Sequence, residues 1–217
     1  MPILQIVLSL ISSAALMFTG LTTPTNSPGK LLAQATYSLT NRYTDPYVNN
    51  IFSDNILLTL AYMGGKVKKD QKFSWSTVRA PGVETLFLKP GGTFAFHDMT
   101  LDKYKDKIAA TTNAHFASNE GFKSDGWLVG DGVCHLASFL YIASKEAGLQ
   151  IEAPTRHDFA EIADVPESSG VSIYSSRNNP ASSALQNLYI TNNYNKTIAF
   201  IFTHEKDKVN IKIEQLN

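Results

Sequence analysis

The stretch GDGVCHLASFLYIASKEAGL, residues 130–149, most constrains the fold, because it dictates a buried helix entered from a glycine turn. From Cys134 onward Leu136, Ala137, Leu140, Ala143 and Ala147 recur at helical spacing, and Gly148 suits a left-handed C-terminal cap. The Gly-Asp-Gly run before it is expected to be loop. Upstream, Asp45-Pro46 opens a stretch with apolar Val48, Ile51, Phe52, Leu58 and Tyr62, which predicts one or two helical pieces. Ser53 is a candidate cap for the second, and Gly64-Gly65 stops it. Residues 85–88 and 93–96 alternate as strands around the turn Pro90-Gly91-Gly92. Residues 157–165, 171–174 and 188–191 are expected as short strands, and 197–202 with 209–213 as a hairpin. N-terminal helices, a central helix opening at the cysteine and late strands predict a single α+β domain with a mostly antiparallel sheet.

Composition limits the function classes. With 217 residues, 43% hydrophobic and 18% charged, the chain supports one globular domain, or one domain plus a short targeting segment. Zero formal net charge and the lack of a Lys/Arg block argue against nucleic-acid binding. A single cysteine, Cys134, excludes an internal disulfide framework and any zinc site of several thiolates. Residues 3–21 carry no charge, and Ala33-x-Ala35 matches the small-residue pattern of signal-peptidase sites. Residues 1–35 are therefore expected to be a signal peptide or an N-terminal membrane anchor, a buried core helix being the plain alternative. The expected location is extracytoplasmic, with membrane contact only through such an anchor.

The chemistry centres on Cys134. A thiol opening a helix after a glycine loop meets unpaired N–H groups and the positive end of the helix dipole, which favour thiolate. The same N–H groups could hold an oxyanion, and Gly130 and Gly132 would admit a substrate carbonyl close to the backbone. The competing reading is a packed structural cysteine. His157, on the first extended segment after the helix, is the candidate base; His135 points about 100° away from its neighbour on a helix. No third, orienting group is singled out: Asp158 would point away across a strand, and Asp131, Glu120 and Asp125 are loop carboxylates with no distinguishing spacing. A zinc site from Cys134 with two of His115, His135 and His157 lacks ligand spacing, and no nucleotide loop is present, so neither metal nor cofactor is expected.

Several motifs then resemble VanW-like domains. Pro90-Gly91-Gly92-Thr93-Phe94-Ala95-Phe96 is similar to their PGxTFSFN strand. Gly130 to Cys134-His135 and on through Ala147-Gly148-Leu149 is similar to GGGVCQxSTxLYxAxxxAGL, with Ser138, Leu140 and Tyr141 in place. His157, Val165-Pro166 and Asn187-Leu188-Tyr189-Ile190-Thr191-Asn192 continue the order. The resemblance spans 85–217, with 36–84 as a helical lead-in. It implies a bacterial cell-envelope setting and cysteine-dependent acyl transfer of the L,D-transpeptidase kind on peptidoglycan stem peptides. Cys134 would be nucleophile and His157 base, with Gly130, Gly132, His135 and Ser138 as substrate-binding or oxyanion residues. The alternative is a non-catalytic peptidoglycan-binding or accessory module. Departures are Asp131 for the middle glycine, His135 for the glutamine after the cysteine, and Asn187 or Gln186 for an aspartate.

Overall fold

Pro46 fits the first turn of a helix because its missing N–H would be unpaired there anyway. In the computed structural model, which describes residues 29–205 and 207–217, one continuous helix α1 (Pro46–Met63) starts at that point. Asp45 caps it, its carboxylate accepting from Tyr47 N at 2.9 Å and Val48 N at 3.0 Å. Ser53, the expected cap of a second piece, lies inside this helix. Its hydroxyl donates to the carbonyl of Asn49 at 2.9 Å and to that of Leu39, so the helix runs through it unbroken. A short helix α2 (Trp75–Arg79) follows, tied to α1 by Arg79 pairing both oxygens of buried Asp54 at 2.7 Å.

Two four-stranded sheets carry the rest. The first has the order β1-β8-β7-β2, formed by β1 (Lys30–Ser38), β8 (Lys208–Gln215), β7 (Ile198–Glu205) and β2 (Gly82–Leu88), all antiparallel. The second, β4-β3-β6-β5, is formed by β4 (Ile108–Thr111), β3 (Thr93–Ala95), β6 (Tyr189–Thr191) and β5 (Gln150–Glu152). Only its β3–β4 pairing is parallel. The α+β class and the mostly antiparallel sheet of the C-terminal strands match the sequence reading.

The central helix α3 (Val133–Glu146) buries Leu136, Ala137, Phe139, Leu140 and Ala143 against the first sheet, where Tyr37 of β1 stacks on Phe139 at 3.9 Å between ring centroids. Full burial of such a side chain contributes about 1.5–3 kcal/mol. A last short helix, α4 (Pro180–Leu185), begins under an Asn179 cap.

Three expectations are corrected. Residues 157–165 form no strand: Asp164 adopts φ 66° and Pro166 follows, so the segment turns instead of extending. Residues 171–174 contribute only an isolated bridge, Arg156 to Val171. His204, which its place beside the terminal Glu205–Lys208 turn would put in solvent, is instead buried on the inner face of β7. The lead-in is also not wholly helical. Ala33 and Ala35 lie within β1, paired with Ile213 and Ile211 of β8, so cleavage after Ala35 would cut through a sheet strand. The apolar run 3–21 lies outside the described residues. No described helix is long and apolar enough to cross a membrane.

Candidate functional site

The glycine turn before α3 is built by close approach to α1. Gly132 caps α3 at φ 92°, and a Cβ there would sit 2.6 Å from the carbonyl oxygen of Phe52, so both conformation and space demand glycine. Buried Asn55 of α1 fixes the adjoining loop by donating to the carbonyls of Lys123 (3.0 Å) and Asp131 (2.9 Å) and accepting from Lys123 N at 2.9 Å. Over this turn lies a cavity of about 560 Å³. Cys134, His135, His157, Gly130 and Gly132 all line it. Five of the six residues singled out from the sequence are thus brought together.

Ser138 is the exception. It is fully buried one turn along α3, donating to the carbonyl of Cys134 at 2.8 Å and accepting from Val171 N at 2.9 Å. Both bonds are internal and the cavity does not reach it, so Ser138 holds the 171–174 segment against the helix instead of meeting a ligand.

Cys134 is half-buried and engaged by one residue. Ile173 N–H donates to Sγ at 3.4 Å, and Sγ–H faces the Ile173 carbonyl at 3.7 Å. Burial pushes the thiol up to about 11; the Ile173 N–H works against this and the Asp131 carboxylate adds to it. The helix start therefore does not yield a resting thiolate, contrary to the expectation from position alone. Asp131 is itself raised to about 6, chiefly by burial, while its carboxylate accepts from Asp125 N at 2.9 Å. In the first turn Val133 N and His135 N donate to the carbonyls of Gly130 and Gly132 at 3.1 Å. Among the described residues, the N–H groups of Gly132 and Cys134 meet no acceptor outside their own residue.

His157 is buried and makes no hydrogen bond to Cys134 among the described residues. Its Nδ1 lies 3.1 Å from the Ala160 carbonyl oxygen, which can only accept, so Nδ1 carries the proton and Nε2 presents a lone pair. Burial lowers its basicity. His135, edge-on to Phe52 at 5.0 Å, is lowered to about 3 by burial, with Arg42 and His157 adding to the effect, and is neutral at pH 7.

Three features go beyond the sequence reading, which weighed His115 only as a zinc ligand. His115 lines the cavity between two carboxylates, Nδ1 2.8 Å from Glu120 and Nε2 3.0 Å from Asp98. Burial opposes its charge, but these two hydrogen bonds prevail and raise its pKa. Arg42 enters from ahead of α1, its guanidinium 5.0 Å over the Phe139 ring and paired with Asp164. Trp127 (95% exposed) and Phe159 (73%) form an apolar rim. Trp127 could have been flagged by its loop rich in glycine and aspartate; the pairing of His115 with Asp98 and of Arg42 with Asp164 depends on contacts between separate segments. No cluster of three or more potential metal ligands occurs among the described residues.

A family model described as VanW like protein matches residues 76–214, from α2 through β8. The chain belongs to the VanW-like family. Within it, the matched region supplies the glycine turn, Cys134 and His157, whereas Arg42 and Phe52 of the cavity precede it. No curated protein and no solved structure matches the chain.

Proposed function

We propose that this VanW-like protein acts in the cell envelope on peptidoglycan stem peptides by cysteine-dependent acyl transfer, with Cys134 as nucleophile and His157 as general base. The observation that carries this reading is the meeting, in one aromatic-rimmed cavity, of Cys134, an imidazole with a free Nε2 and two N–H groups, of Gly132 and Cys134, without an acceptor outside their own residues. The resting pair is neutral thiol and neutral imidazole, so the proton leaves sulfur as attack proceeds. Sγ bonds to the carbonyl carbon, the proton passes to His157 Nε2, and the N–H groups of Gly132 and Cys134 receive the developing oxyanion. The C–N bond breaks, and the departing amine takes the proton from His157, leaving a thioester. An acceptor amine then attacks, His157 takes its proton, and collapse releases the new amide and the thiolate, which regains that proton. The cell-envelope setting and the stem-peptide substrate rest on the family resemblance.

A second reading is a binding module with a structural cysteine, favoured by the Ile173 backbone groups on both sides of the sulfur chemistry. Intact-protein mass spectrometry after incubation with a disaccharide-tetrapeptide separates the two. The enzyme reading expects an adduct on wild type, absent in Cys134→Ala, with release of the terminal amino acid. A folded protein that gives neither adduct nor product overturns it.

A further inference from the structure

His115, on the wall of the Cys134 cavity, has a carboxylate on each ring nitrogen: Glu120 lies 2.8 Å from Nδ1 and Asp98 3.0 Å from Nε2. Carboxylates accept and do not donate, so both bonds exist together only when the ring carries both protons. The two ends differ in what surrounds them. The Glu120 side chain is 3% exposed and also accepts the His115 backbone N–H at 2.7 Å, whereas that of Asp98 is 62% exposed. A neutral ring therefore keeps its remaining proton on Nδ1 for buried Glu120. It then turns a lone pair toward Asp98, which can swing into water.

The bond that opens joins two separate stretches. Asp98 follows β3, and His115 begins the loop leading to the tight helical turn Ser118–Glu120. Next to His115, Phe116 is held at φ 61°, a left-handed conformation that a bulky residue keeps only where its surroundings impose it. Its ring is buried on Phe96 and Phe122, at 5.6 and 5.5 Å between centroids. Its own Cβ faces the glycine turn: a Cβ added to Gly130 would lie 3.1 Å from it. The Gly130 carbonyl in turn accepts from Val133 N at 3.1 Å in the opening turn of α3, one residue before Cys134. A run of direct contacts thus leads from Asp98 to the cysteine.

We propose that His115 is a positioning residue for the Cys134 site, a proton-dependent clasp between Asp98 and Glu120 that keeps Phe116 pressed on the glycine turn. When the ring loses one of its two protons, the Asp98 end lets go and the loop and the turn loosen together. The groups facing the ring are Asp98, Glu120 and His97, whose own basicity is lowered by burial. Burial opposes the charge on His115, but the two carboxylates outweigh it and set the release above the ordinary histidine value. The clasp is therefore closed at pH 6 and opens as pH rises. It does not depend on what Cys134 reacts with, so it stands or falls apart from acyl transfer.

The test is hydrogen exchange by NMR on the full-length chain in detergent micelles, from pH 6 to pH 9, corrected for base catalysis. The probe is the Gly130 N–H, which donates to the Lys123 carbonyl at 2.9 Å. The reference is the amide of Ile211, buried in β8, an inner strand of the first sheet, so that global unfolding cancels. Wild-type protection at Gly130 relative to Ile211 should fall about fivefold across this range. In His115→Gln it should already be low at pH 6 and stay flat. Asp98→Asn discriminates further: a neutral ring can accept at Nε2 from the Asn amide while Nδ1–H stays on Glu120. The clasp then survives deprotonation, and protection should stay high to pH 9. A wild-type ratio that does not change with pH overturns the proposal, as does an Asp98→Asn ratio that falls in step with wild type. Because the Asp98 side chain is exposed, that variant keeps the test decisive even where His115→Gln fails to fold.

Discussion

Ile173 meets Cys134 through both of its backbone groups, its N–H 3.4 Å and its carbonyl oxygen 3.7 Å from Sγ. Burial nevertheless holds the sulfur as a thiol, against the pull of the Ile173 N–H. Iodoacetamide should alkylate folded protein slowly at pH 7.5, with a rate that climbs toward about 11. Asp131→Asn removes a nearby negative charge and should raise the rate at pH 8 about threefold, as a partly screened charge contributes under about 1 kcal/mol. An unchanged rate would mean that Asp131 does not act on the sulfur.

The same substitution tests stability. Asp131 titrates near 6 in the fold, above the ordinary carboxyl value, so its ionisation opposes folding. The sign is that of a raised pKa: stability is full below the unfolded value and is lost as pH rises through 6. Asp131→Asn should stabilise the protein by about 1 kcal/mol at pH 7.5, after allowance for solvent screening, and by nothing at pH 3.5. Urea melts at the two pH values measure the difference.

His115 behaves in the same direction for a different reason. Glu120 and Asp98 hold its proton, so its folded pKa lies above the unfolded one. The advantage of wild type over His115→Gln should be full below pH 6, worth about 1–2 kcal/mol, and fade as pH rises past the raised value. A pH-independent gap in chemical denaturation would contradict this.

Gly132→Ala should be among the most damaging single-methyl changes in the chain. It forces an L-residue to φ 92° and drives Cβ to 2.6 Å from the Phe52 carbonyl. A loss of about 3 kcal/mol is expected, read from thermal or urea unfolding. Little change would show that the turn can relax away from α1.

Ser138→Ala removes the bridge between the Cys134 carbonyl and Val171 N–H, leaving a buried donor unmet at a cost of about 1–3 kcal/mol. Thr should restore part of the loss, since it keeps the hydroxyl. Amide exchange at Val171 should accelerate in Ser138→Ala; an unaltered rate would place the bridge elsewhere.

Helical periodicity identified α3 and its start at the cysteine, and alternation identified β2, β3, β6, β7 and β8. These elements declare themselves because their apolar faces repeat locally. The 157–165 segment failed for the same reason in reverse: its apolar residues mimic a strand, while the positive φ of Asp164 and the His157–Ala160 contact turn it aside. β1 was hidden because Ala33-x-Ala35 alternates like a cleavage motif and finds its partner at Ile211 and Ile213 far along the chain. In the site, Cys134, His135 and His157 were legible as residue types capable of chemistry. Arg42 was not, and His115 was weighed only as a zinc ligand, since their roles arise from Asp164, Asp98 and Glu120, which no fixed spacing connects to them.

The position of β8 between β1 and β7 has a consequence for biosynthesis. The ribosome delivers β1 first of all the described strands and β8 last, yet the two must lie side by side. Until residues 208–215 have emerged, β1 has no neighbour and the floor under α3 is open. The first sheet therefore closes only once residues 208–215 are out, and a nascent chain stalled before β8 presents two unpaired edges to whatever chaperone or neighbour is at hand.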